Sequence, residues 1–563
     1  MNIIGLSCFY HDSAACLIRN GRIVAAVEEE RFTRQKHDPG FPTNAIEFCL
    51  AEGGIVAEEV DAVCFYEEPL TKFDRIIDRH ISYFPLSYGH FRQVPSRWFG
   101  EIFPLKRLLA QRLRFICPVY FFPHHLSHAA YAFFSSDFDE AAVLVVDAVG
   151  EDSSASWGVG RGCNVTLKEE MPYPHSLGML YTTITALLGF KVMDGEGTIM
   201  GLSAYGEPVY VETIRHMAPC FDDGSIFLKP EYFAFDYSNR MMSGKMEDVL
   251  FRARRPQEPI EQKHCDLAAS VQAFLEERLI AMAKYVREKT GHNKVCLGGG
   301  IALNSLFNGK LTGQKIFRKV FIPPAPGDSG CAVGSALLYY YKQEDAERTK
   351  TSCHASLGTE YSQREIDNFL NLKGIPHDNF PDDTLLETAA KALRQNKIVG
   401  WFQGRMEFGR RALGNRSILA SPAKAGVREI LNSQVKGRES FRPFGASVLE
   451  EKAKDFFQNP TSSPFMEKVF FVRPECRKRI PAVVHQDGTC RIHTVPESED
   501  NLYRKLIDTF HRDTGLPLVL NTSFNLAGEP IVSNPREAYD CFAKSGMDLL
   551  VLGNSLIQKK TPL

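Results

Sequence analysis

The sequence predicts an α/β protein whose first part is built on a duplicated unit of three strands. With 563 residues the chain is too long for a single hydrophobic core, and its 44% apolar and 24% charged residues are typical of a globular protein. Residues 2–30 show three apolar segments joined by short polar turns, and residues 141–170 repeat this order. In each copy an acidic residue, Asp12 or Asp147, lies where the first strand ends.

Two such units, each followed by helical segments, are typical of an actin-like fold with two lobes. Folds of that class bind a nucleotide between the lobes. The alternative is that two unrelated β-hairpins resemble each other by chance.

Two glycine-rich loops favour a nucleotide site in this first part. The segment KVCLGGGIALNS predicts a strand, then Gly298, Gly299 and Gly300, then a helix beginning near Asn304. Glycines let backbone N–H groups approach a phosphate, and a helix N-terminus favours negative charge. A second loop, PAPGDSG, leads into another helix with Asp328 at its start. The alternative for each loop is a tight strand-to-helix turn.

Two histidines and two aspartates predict a metal site. His124 and His128 in PHHLSHAA are four residues apart, so both imidazoles project from one face of a helix. Asp147 ends an apolar strand, and Asp328 lies in the second glycine-rich loop. This donor set suits a divalent metal such as iron or zinc. The alternative is a solvated or capping pair of histidines.

A polar, charged stretch at 342–385 predicts the boundary between two domains, 1–345 and 385–563. The helix ETAAKALRQN and the strand KIVGWFQ begin the second domain.

Residues 401–450 hold nine Lys and Arg against four Glu, although the whole chain is nearly neutral. Arginine at such density, beside glycines, suits polyanionic ligands through bidentate hydrogen bonds. Asn521 and Ser523 in NTSFNLAGEPIV add neutral polar groups. The alternative is a solvated, salt-bridged face, which Phe408, Phe441 and Phe444 make less favourable. The basic residues are Arg405, Arg410, Arg411, Arg416, Lys424, Arg428, Lys436, Arg438 and Arg442.

Composition excludes several classes of function. A net charge of −2, from 66 basic and 68 acidic residues, argues against a nucleic-acid-binding protein. The fourteen cysteines are scattered without a C-x-x-C pair, which predicts reduced thiols in a cytoplasmic enzyme. The sequence shows neither a signal peptide nor an apolar run of the length that spans a membrane.

The chain resembles, over nearly its whole length, the NodU/CmcH-type O-carbamoyltransferases of nodulation-factor and antibiotic biosynthesis. In that family the N-terminal domain is actin-like and related to the threonylcarbamoyl-transferase of tRNA modification, and the C-terminal domain is YrdC-like. The motifs that carry the resemblance occur in the family's order: FYHDSAACL, EEERFTRQKHD, HHLSHAA, VVDAVGE, GTIMGLSAYG, LGGGIALNS, PAPGDSG, GRMEFGRRALGNRSIL, KGRESFRPF, DGTCRIHTV and NTSFNLAGEPIV.

The resemblance implies a two-step reaction. The YrdC-like domain would convert carbamoyl phosphate and ATP into a carbamoyl-adenylate and pyrophosphate. The N-terminal domain would then pass the carbamoyl group to a hydroxyl of a small-molecule natural product and release AMP.

The same resemblance implies roles for individual residues. His124, His128, Asp147 and Asp328 would bind iron(II). His11 and Lys36 would lie at the transfer site, with His11 as a base; the alternative for His11 is a turn histidine bonded to backbone. The residues that would bind carbamoyl phosphate and the adenylate are Arg411, Lys436, Arg442, Arg491 and Ser523, with Asn521 added from its motif.

Two positions depart from the family's pattern. Arg410 replaces the proline of GPRALGNRS, and His493 replaces the glutamine of an RIQTV-like motif. Arg410 could add affinity for an anion, while His493 changes the local hydrogen bonding.

Other functions remain open at this point. They are a threonylcarbamoyl-AMP/tRNA-type transferase, an actin-like kinase and a nucleotide-binding scaffold without catalysis. The sequence does not name the hydroxyl acceptor; the aromatic stretches 81–122 and 209–262 are candidate walls for it, or parts of the core. A homodimer is the default expectation for the oligomeric state.

Overall fold

In the computed structural model, which describes residues 1–343, 346–349 and 353–559, the chain forms two compact units. The first comprises Met1–Glu29 and His37–Cys353, and the second Glu30–Lys36 together with the chain from His354 onward. The short helix α1 (Glu30–Thr33) therefore belongs to the second unit. Its Arg31 guanidinium donates to the Gly409 carbonyl oxygen at 2.8 Å. Arg34 donates to the carbonyls of Pro530 and Ile531, both at 2.7 Å.

The first unit contains two five-stranded sheets of the same topology. In the first sheet, β1 pairs antiparallel with β2, β2 antiparallel with β3, and β4 and β5 continue parallel on the other side of β1. The second sheet repeats these pairings, with β6 in the place of β1. The duplicated, actin-like topology is thereby confirmed. The strands are β1 (Asn2–Ser7), β2 (Ala14–Arg19), β3 (Arg22–Glu28), β4 (Ala62–Phe65), β5 (Val119–Phe121), β6 (Glu140–Val146), β7 (Ser153–Arg161), β8 (Asn164–Pro172), β9 (Lys294–Gly298) and β10 (Lys319–Phe321), in the orders β3-β2-β1-β4-β5 and β10-β9-β6-β7-β8.

Helices connect and cover these sheets. Strands β1 and β6 are buried along nearly their whole length, which explains their continuous apolar sequences. The helices are α2 (Thr43–Gly53), α3 (Pro69–Ser82), α4 (Tyr88–Phe91), α5 (Val94–Arg97), α6 (Leu105–Leu113), α7 (His124–Phe134), α8 (Leu177–Leu187), α9 (Glu196–Leu202), α10 (Val211–Met217), α11 (Gly244–Val249), α12 (Gln262–Thr290), α13 (Ser305–Gly313) and α14 (Asp328–Tyr341).

Helices α7 and α14 approach each other closely because two glycines of α14 face α7. A Cβ atom added at Gly334 would lie 1.8 Å from the Ser127 carbonyl oxygen. One added at Gly330 would lie 2.5 Å from the Tyr131 ring. Any side chain at these positions would separate the helices. The close contact brings Asp328, the first residue of α14, to the start of α7.

The second unit is built on one mixed sheet of nine strands. Helix α15 and strand β11 precede residue 385, where the second domain is predicted to begin, and both lie in this unit. Strand β11 pairs with β19 at the edge of the sheet. The strands are β11 (Asp378–Asn379), β12 (Val399–Phe402), β13 (Arg416–Ala420), β14 (Gly445–Leu449), β15 (Lys468–Phe471), β16 (Thr489–Val495), β17 (Leu518–Ser523), β18 (Leu549–Leu552) and β19 (Ser555–Gln558), in the order β11-β19-β18-β12-β13-β17-β14-β16-β15. The helices are α15 (Gln363–Leu372), α16 (Asp382–Arg394), α17 (Val427–Ile430), α18 (Ala453–Phe456), α19 (Leu502–Thr514) and α20 (Pro535–Lys544).

The predicted α/β class is confirmed for this unit as well. Helix α16 and strand β12 correspond to the helix and strand predicted at its start. Trp401, Phe402 and Phe444 lie fully buried in its core. Within the part of the chain that the structure describes, no helix combines the length and apolarity needed to cross a membrane.

Candidate functional site

The four predicted metal donors converge in the first unit. His124 and His128 lie one turn apart on α7, Asp147 follows β6, and Asp328 begins α14. Helix α7 is held at its N-terminus by the Glu151 carboxylate, which accepts hydrogen bonds from the His124 backbone N–H at 2.8 and 3.0 Å. A carboxylate at this end also interacts favourably with the helix dipole.

The donor atoms of this cluster contact one another. His128 Nε2 lies 2.9 Å from Asp147 Oδ2 and 3.1 Å from His124 Nε2. His124 Nε2 lies 3.4 Å from Asp147 Oδ2, and Asp328 Oδ1 lies 3.8 Å from His124 Nε2. All four side chains are buried, and their donor atoms lie within 4.8 Å of one another.

These distances fit a shared divalent cation. Metal–ligand bonds of ~2.1 Å place neighbouring donors roughly 3.0–3.4 Å apart. Two imidazoles and two carboxylates are also the donor types that iron(II) and zinc accept. The four residues could therefore hold such an ion, as the sequence predicts.

The electrostatics of the cluster favours ionised carboxylates. Burial opposes ionisation of Asp147, but hydrogen bonds from His124 and His128 hold its pKa well below the usual range. Burial likewise opposes ionisation of Asp328, whereas His11 and His124 lower the pKa of its carboxyl. Both carboxylates are thus available as anionic ligands.

His11 lies beside the cluster and is oriented by a carboxylate. Its Nδ1 is 2.9 Å from Asp12 Oδ2, and its Nε2 is 3.6 Å from Asp328 Oδ2. The other oxygen of Asp12 lies 2.7 Å from His37 Nδ1. When His11 Nδ1 donates to Asp12, Nε2 carries the lone pair and faces the cluster. The arrangement can therefore supply a base.

The glycines predicted to bind a nucleotide pack around Asp147. A Cβ atom at Gly299 would lie 2.2 Å from the Val146 carbonyl oxygen, and one at Gly300 would lie 3.0 Å from Asp147 Oδ1. A Cβ atom at Gly298 would lie 3.1 Å from the His128 carbonyl oxygen. Packing beside the candidate metal donors thus already requires the absence of a side chain at Gly299 and leaves little room for one at Gly298 or Gly300. Nucleotide binding by these glycines stays a prediction.

Asn304 has a structural role at the start of α13. Its Oδ1 accepts a hydrogen bond from the Phe307 backbone N–H at 3.0 Å, which caps the helix. Its Nδ2 donates to Gln272 Oε1 at 3.0 Å. The predicted helix start is confirmed, while a contact of Asn304 with a nucleotide stays a prediction.

Several residues of this site were given no chemical role from the sequence: Asp12, His37, Glu151 and Cys331. Cys331 follows Asp328 by three residues on α14, a spacing that places both on one helix face. Asp12 and His37 lie next to His11 and Lys36 in motifs already singled out. Their position beside two candidate site residues could have identified Asp12 and His37 from the sequence. Glu151 gave no such signal, because in its motif VVDAVGE only Asp147 was considered as a metal ligand.

The second unit gathers positive charge around Arg411. Burial lowers the pKa of Arg411, and so do the neighbouring charges of Arg491, Arg410 and Arg442. Burial also lowers the pKa of Arg491 to about 10. Within the described residues, Arg491 Nε is buried without a hydrogen-bond partner. A group of half-buried cations around one exposed arginine is stabilised by a bound anion.

Lys436 lies near the arginines around Arg411, and its ammonium group donates hydrogen bonds to oxygen atoms of Ser523 and Asn525. It ends a π-helical turn, Leu431–Lys436, and its Nζ donates to the Ser523 carbonyl and, at 3.2 Å, to Ser523 Oγ. Nζ also lies 2.7 Å from Asn525 Oδ1. Burial and the charges of Arg438, Arg442 and Lys36 lower its pKa. Lys36, predicted to act with His11, thus lies in the unit that holds Lys436.

Asn521 supports the arginine-bearing loop from below. It is fully buried, and its Nδ2 donates to the Ala412 carbonyl at 3.1 Å and to Ser447 Oγ at 2.9 Å. Ser447 Oγ lies 3.0 Å from His493 Nδ1. Burial lowers the pKa of His493 to about 3, so that its imidazole is neutral. The departure at His493 therefore belongs to a buried network beneath Ala412.

Two further charged residues hold the loop 407–416. Glu407 Oε1 accepts from the backbone N–H groups of Leu413 at 2.7 Å and Asn415 at 2.9 Å. Arg416 is fully buried, donates to the Thr359 carbonyl at 2.8 Å and lies 3.6 Å from the centre of the Phe402 ring. The basic segment thus contains a structural arginine as well as candidate ligands.

Comparison with known proteins gives the family. A model described as the carbamoyltransferase N-terminus matches residues 2–337, and one described as the carbamoyltransferase C-terminus matches residues 390–559. The chain belongs to the carbamoyltransferase family. It is therefore a carbamoyltransferase, and the resemblance to NodU-type proteins is confirmed.

Relatives cover nearly the whole chain. The nodulation protein NolNO of Sinorhizobium fredii is 35% identical over 98% of this chain and 80% of its own length. An uncharacterized protein of Synechocystis is 40% identical over 99% of this chain and 97% of its own. Among solved structures, component A of the (R)-2-hydroxyglutaryl-CoA dehydratase of Acidaminococcus fermentans is 14% identical, over 61% of this chain and 98% of its own, with a TM-score of 0.34. That structural similarity is too low to support an argument.

Proposed function

We propose that this carbamoyltransferase uses ATP and carbamoyl phosphate to form a carbamoyl-adenylate in the second unit. The carbamoyl group is then transferred, at the metal cluster of the first unit, to a hydroxyl of a small-molecule natural product. The observation that carries the proposal is the four-donor cluster with His11 beside it, whose Nε2 is 3.6 Å from Asp328. The cationic group around Arg411 supports the first step.

The first step brings two polyanions together. At an effective dielectric near 20, two unit charges 4 Å apart repel by about 4 kcal/mol. Arg411, Arg491 and Lys436 offset this repulsion and stabilise the departing phosphates. One water is consumed: it releases phosphate from carbamoyl phosphate, the carbamate oxygen attacks the α-phosphorus of ATP, and pyrophosphate leaves.

In the second step the acceptor hydroxyl attacks the carbonyl carbon of the adenylate. A new C–O bond forms, the bond from that carbon to the AMP oxygen breaks, and AMP leaves. His11 Nε2 takes the hydroxyl proton, while Asp12 holds the ring in the required tautomer at 2.9 Å. A divalent cation on the cluster, iron(II) by family resemblance, would supply Lewis-acid polarisation of the carbonyl group.

The acceptor remains open within the class of hydroxylated small molecules. Part of the aromatic stretch 81–122 packs in the interior, since Trp98 is buried and contacts Phe73 at 5.2 Å. Other side chains of the stretch, such as Phe84 and Phe99, are exposed. These exposed rings are the ones to vary when an acceptor is sought.

Two variants separate the proposed steps. Arg442→Ala should abolish pyrophosphate release that depends on carbamoyl phosphate, because it removes a charge from the group around Arg411. Asp328→Asn should spare that release but stop transfer and lower bound metal. Lys424→Ala, an exposed basic residue of the same segment, is the control and should retain both activities.

Specific outcomes would contradict the proposal. Wild-type pyrophosphate release from Arg442→Ala would exclude the basic group as the adenylate site. Unchanged metal content of Asp328→Asn, measured by elemental analysis, would remove that residue from the ligands. A tRNA-type transferase would instead require threonine and bicarbonate in place of carbamoyl phosphate, so replacing the co-substrate tests that alternative.

A further inference from the structure

Helix α14 presents a second donor to the two histidines of α7. Cys331 lies one turn after Asp328, on the same face of the helix. On α7, His124 and His128 form the matching pair at four-residue spacing. Because Gly330 and Gly334 let the helices approach, the two pairs face each other across a short distance.

A ring nitrogen of His124, one of His128 and the sulfur of Cys331 lie within 4.8 Å of one another. The Cys331 side chain is fully buried, and the two imidazoles are 2% and 1% exposed. This N₂S donor set shares both histidines with the set that contains Asp147 and Asp328, but replaces the two carboxylates by one sulfur.

We propose that Cys331 is a sulfur ligand of this metal centre, through which thiophilic divalent cations such as zinc, cobalt(II) or cadmium bind. Binding breaks the S–H bond, forms a metal–sulfur bond and releases one proton to solvent. The inference rests on the proposed function only in that the cluster binds a cation.

The chemical reason is the difference between the two donor sets. Carboxylate oxygens are hard donors and accept magnesium, manganese or iron(II), whereas thiolates select softer cations. With both kinds of donor around the same pair of imidazoles, the centre can hold a hard ion through Asp147 and Asp328 or a soft ion through Cys331. Zinc or cadmium should therefore displace iron(II) from the wild-type protein more readily than from a protein without the thiol.

Cobalt(II) titration of the full-length, metal-depleted protein tests the inference directly. Bound cobalt gives visible d–d bands with any ligand set, and a near-ultraviolet sulfur-to-cobalt charge-transfer band only when sulfur is bound. Both are expected in the wild type. Cys331→Ser should lose the charge-transfer band and keep the d–d bands. Cys296→Ser, which alters another fully buried thiol of the same unit, should keep both.

A measurement on the unmodified protein avoids any effect of the substitution on folding. X-ray absorption of the cobalt- or zinc-loaded wild type should show a sulfur neighbour at about 2.3 Å. Asp147→Asn, which leaves the N₂S set intact, should retain the charge-transfer band.

The outcomes distinguish this inference from the proposed function. Visible bands without any sulfur signal in the wild type would overturn the role of Cys331 but leave a metal centre of histidines and aspartates. A charge-transfer band that persists in Cys331→Ser would also overturn it, because another thiol would then be the ligand. No spectral change at all on adding cobalt would overturn both.

Discussion

The two candidate sites place charge of opposite sign on different kinds of scaffold. In the first unit, two ionised carboxylates and two imidazoles project from α7, α14 and the end of β6. In the second unit, cationic side chains lie on the loop 407–416 and at the end of the π-helical turn Leu431–Lys436. One site suits a small cation and the other a large anion.

The difference shows how ligand size determines the scaffold. A single cation needs few donors at fixed distances, which regular elements provide by their own spacing. A polyanion needs positive charge over a wider surface, which loops can distribute if buried groups such as Glu407, Asn521 and Ser447 hold them in place. The first site therefore depends mainly on the residues that would bind the cation. The second site depends equally on the buried residues that hold its loop in place.

After the losses expected of Arg442→Ala and Asp328→Asn, the largest effect is expected from removing the charge of Asp12. Asp12→Asn keeps the size of the side chain and tolerates the positive φ of 51° at this position, but no longer accepts from both imidazoles. Carbamoyl transfer should slow by about 100-fold or more, the usual contribution of a general base. Single-turnover transfer measures this, and pyrophosphate release should be unchanged. A loss of both steps would show that the two sites are not chemically separate.

The second largest effect concerns Arg491, whose Nε is buried without a partner among the described residues. Arg491→Met should weaken carbamoyl phosphate binding by about 10- to 100-fold, the value of one hydrogen bond between charged groups. Isothermal titration measures the affinity, and metal content should not change. Lys478→Met, an exposed basic position of the same unit, is the matched control. Equal affinity of the Arg491 variant and the wild type would place the anion elsewhere.

A smaller effect should appear as a pH dependence of anion binding. Because burial and neighbouring cations lower the pKa of Lys436, its ammonium loses a proton at a pH below the usual value. Affinity for pyrophosphate should therefore be complete below that lowered pKa and decline as the pH rises through it. The bound anion favours the charged form, so proton uptake should accompany binding at alkaline pH. Lys436→Met should bind more weakly and without this pH dependence; an identical decline in the variant would assign the titration to another group.

The smallest effect is expected at the departure from the family's pattern. His493→Gln should change the free energy of unfolding by less than about 1 kcal/mol, because an amide can replace the hydrogen bond to Ser447 Oγ. His493→Leu should cost about 1–3 kcal/mol, since it removes a hydrogen-bonding partner of the buried Ser447. Thermal unfolding of both variants compares them. Equal melting temperatures of the two variants would mean that the hydrogen bonds of His493, Ser447 and Asn521 do not stabilise the loop 407–416.

Prediction from sequence succeeded where local spacing carries the information. The i, i+4 pair His124 and His128, the strand that ends before Asp147 and the helix that begins at Asp328 were all readable from periodicity. The duplication of the first unit was likewise visible in its turns and apolar segments, and equal strand orders confirm it. The site residues themselves stay predictions until their variants are measured.

Prediction was weaker where a side chain acts through distant partners. Nothing in NTSFNLAGEPIV distinguishes Asn521, which is fully buried beneath Ala412, from Ser523, which contacts Lys436. Similarly, residues 30–36 precede most of the first unit in sequence, yet Arg31 and Arg34 anchor them in the second. A short motif does not show which of its polar side chains is buried, or which residues far away in the sequence they bond to.

The sequence by itself determined the α/β class, the donor types of the candidate metal site and the excess of positive charge in the second unit. These properties follow from composition and from the periods of helices and strands, which are local. Only the tertiary structure decided that Cys331, rather than another of the fourteen cysteines, lies beside His124 and His128. The physical reason is that two helices far apart in the chain meet at glycine contacts, and such contacts fix distances that no local pattern encodes.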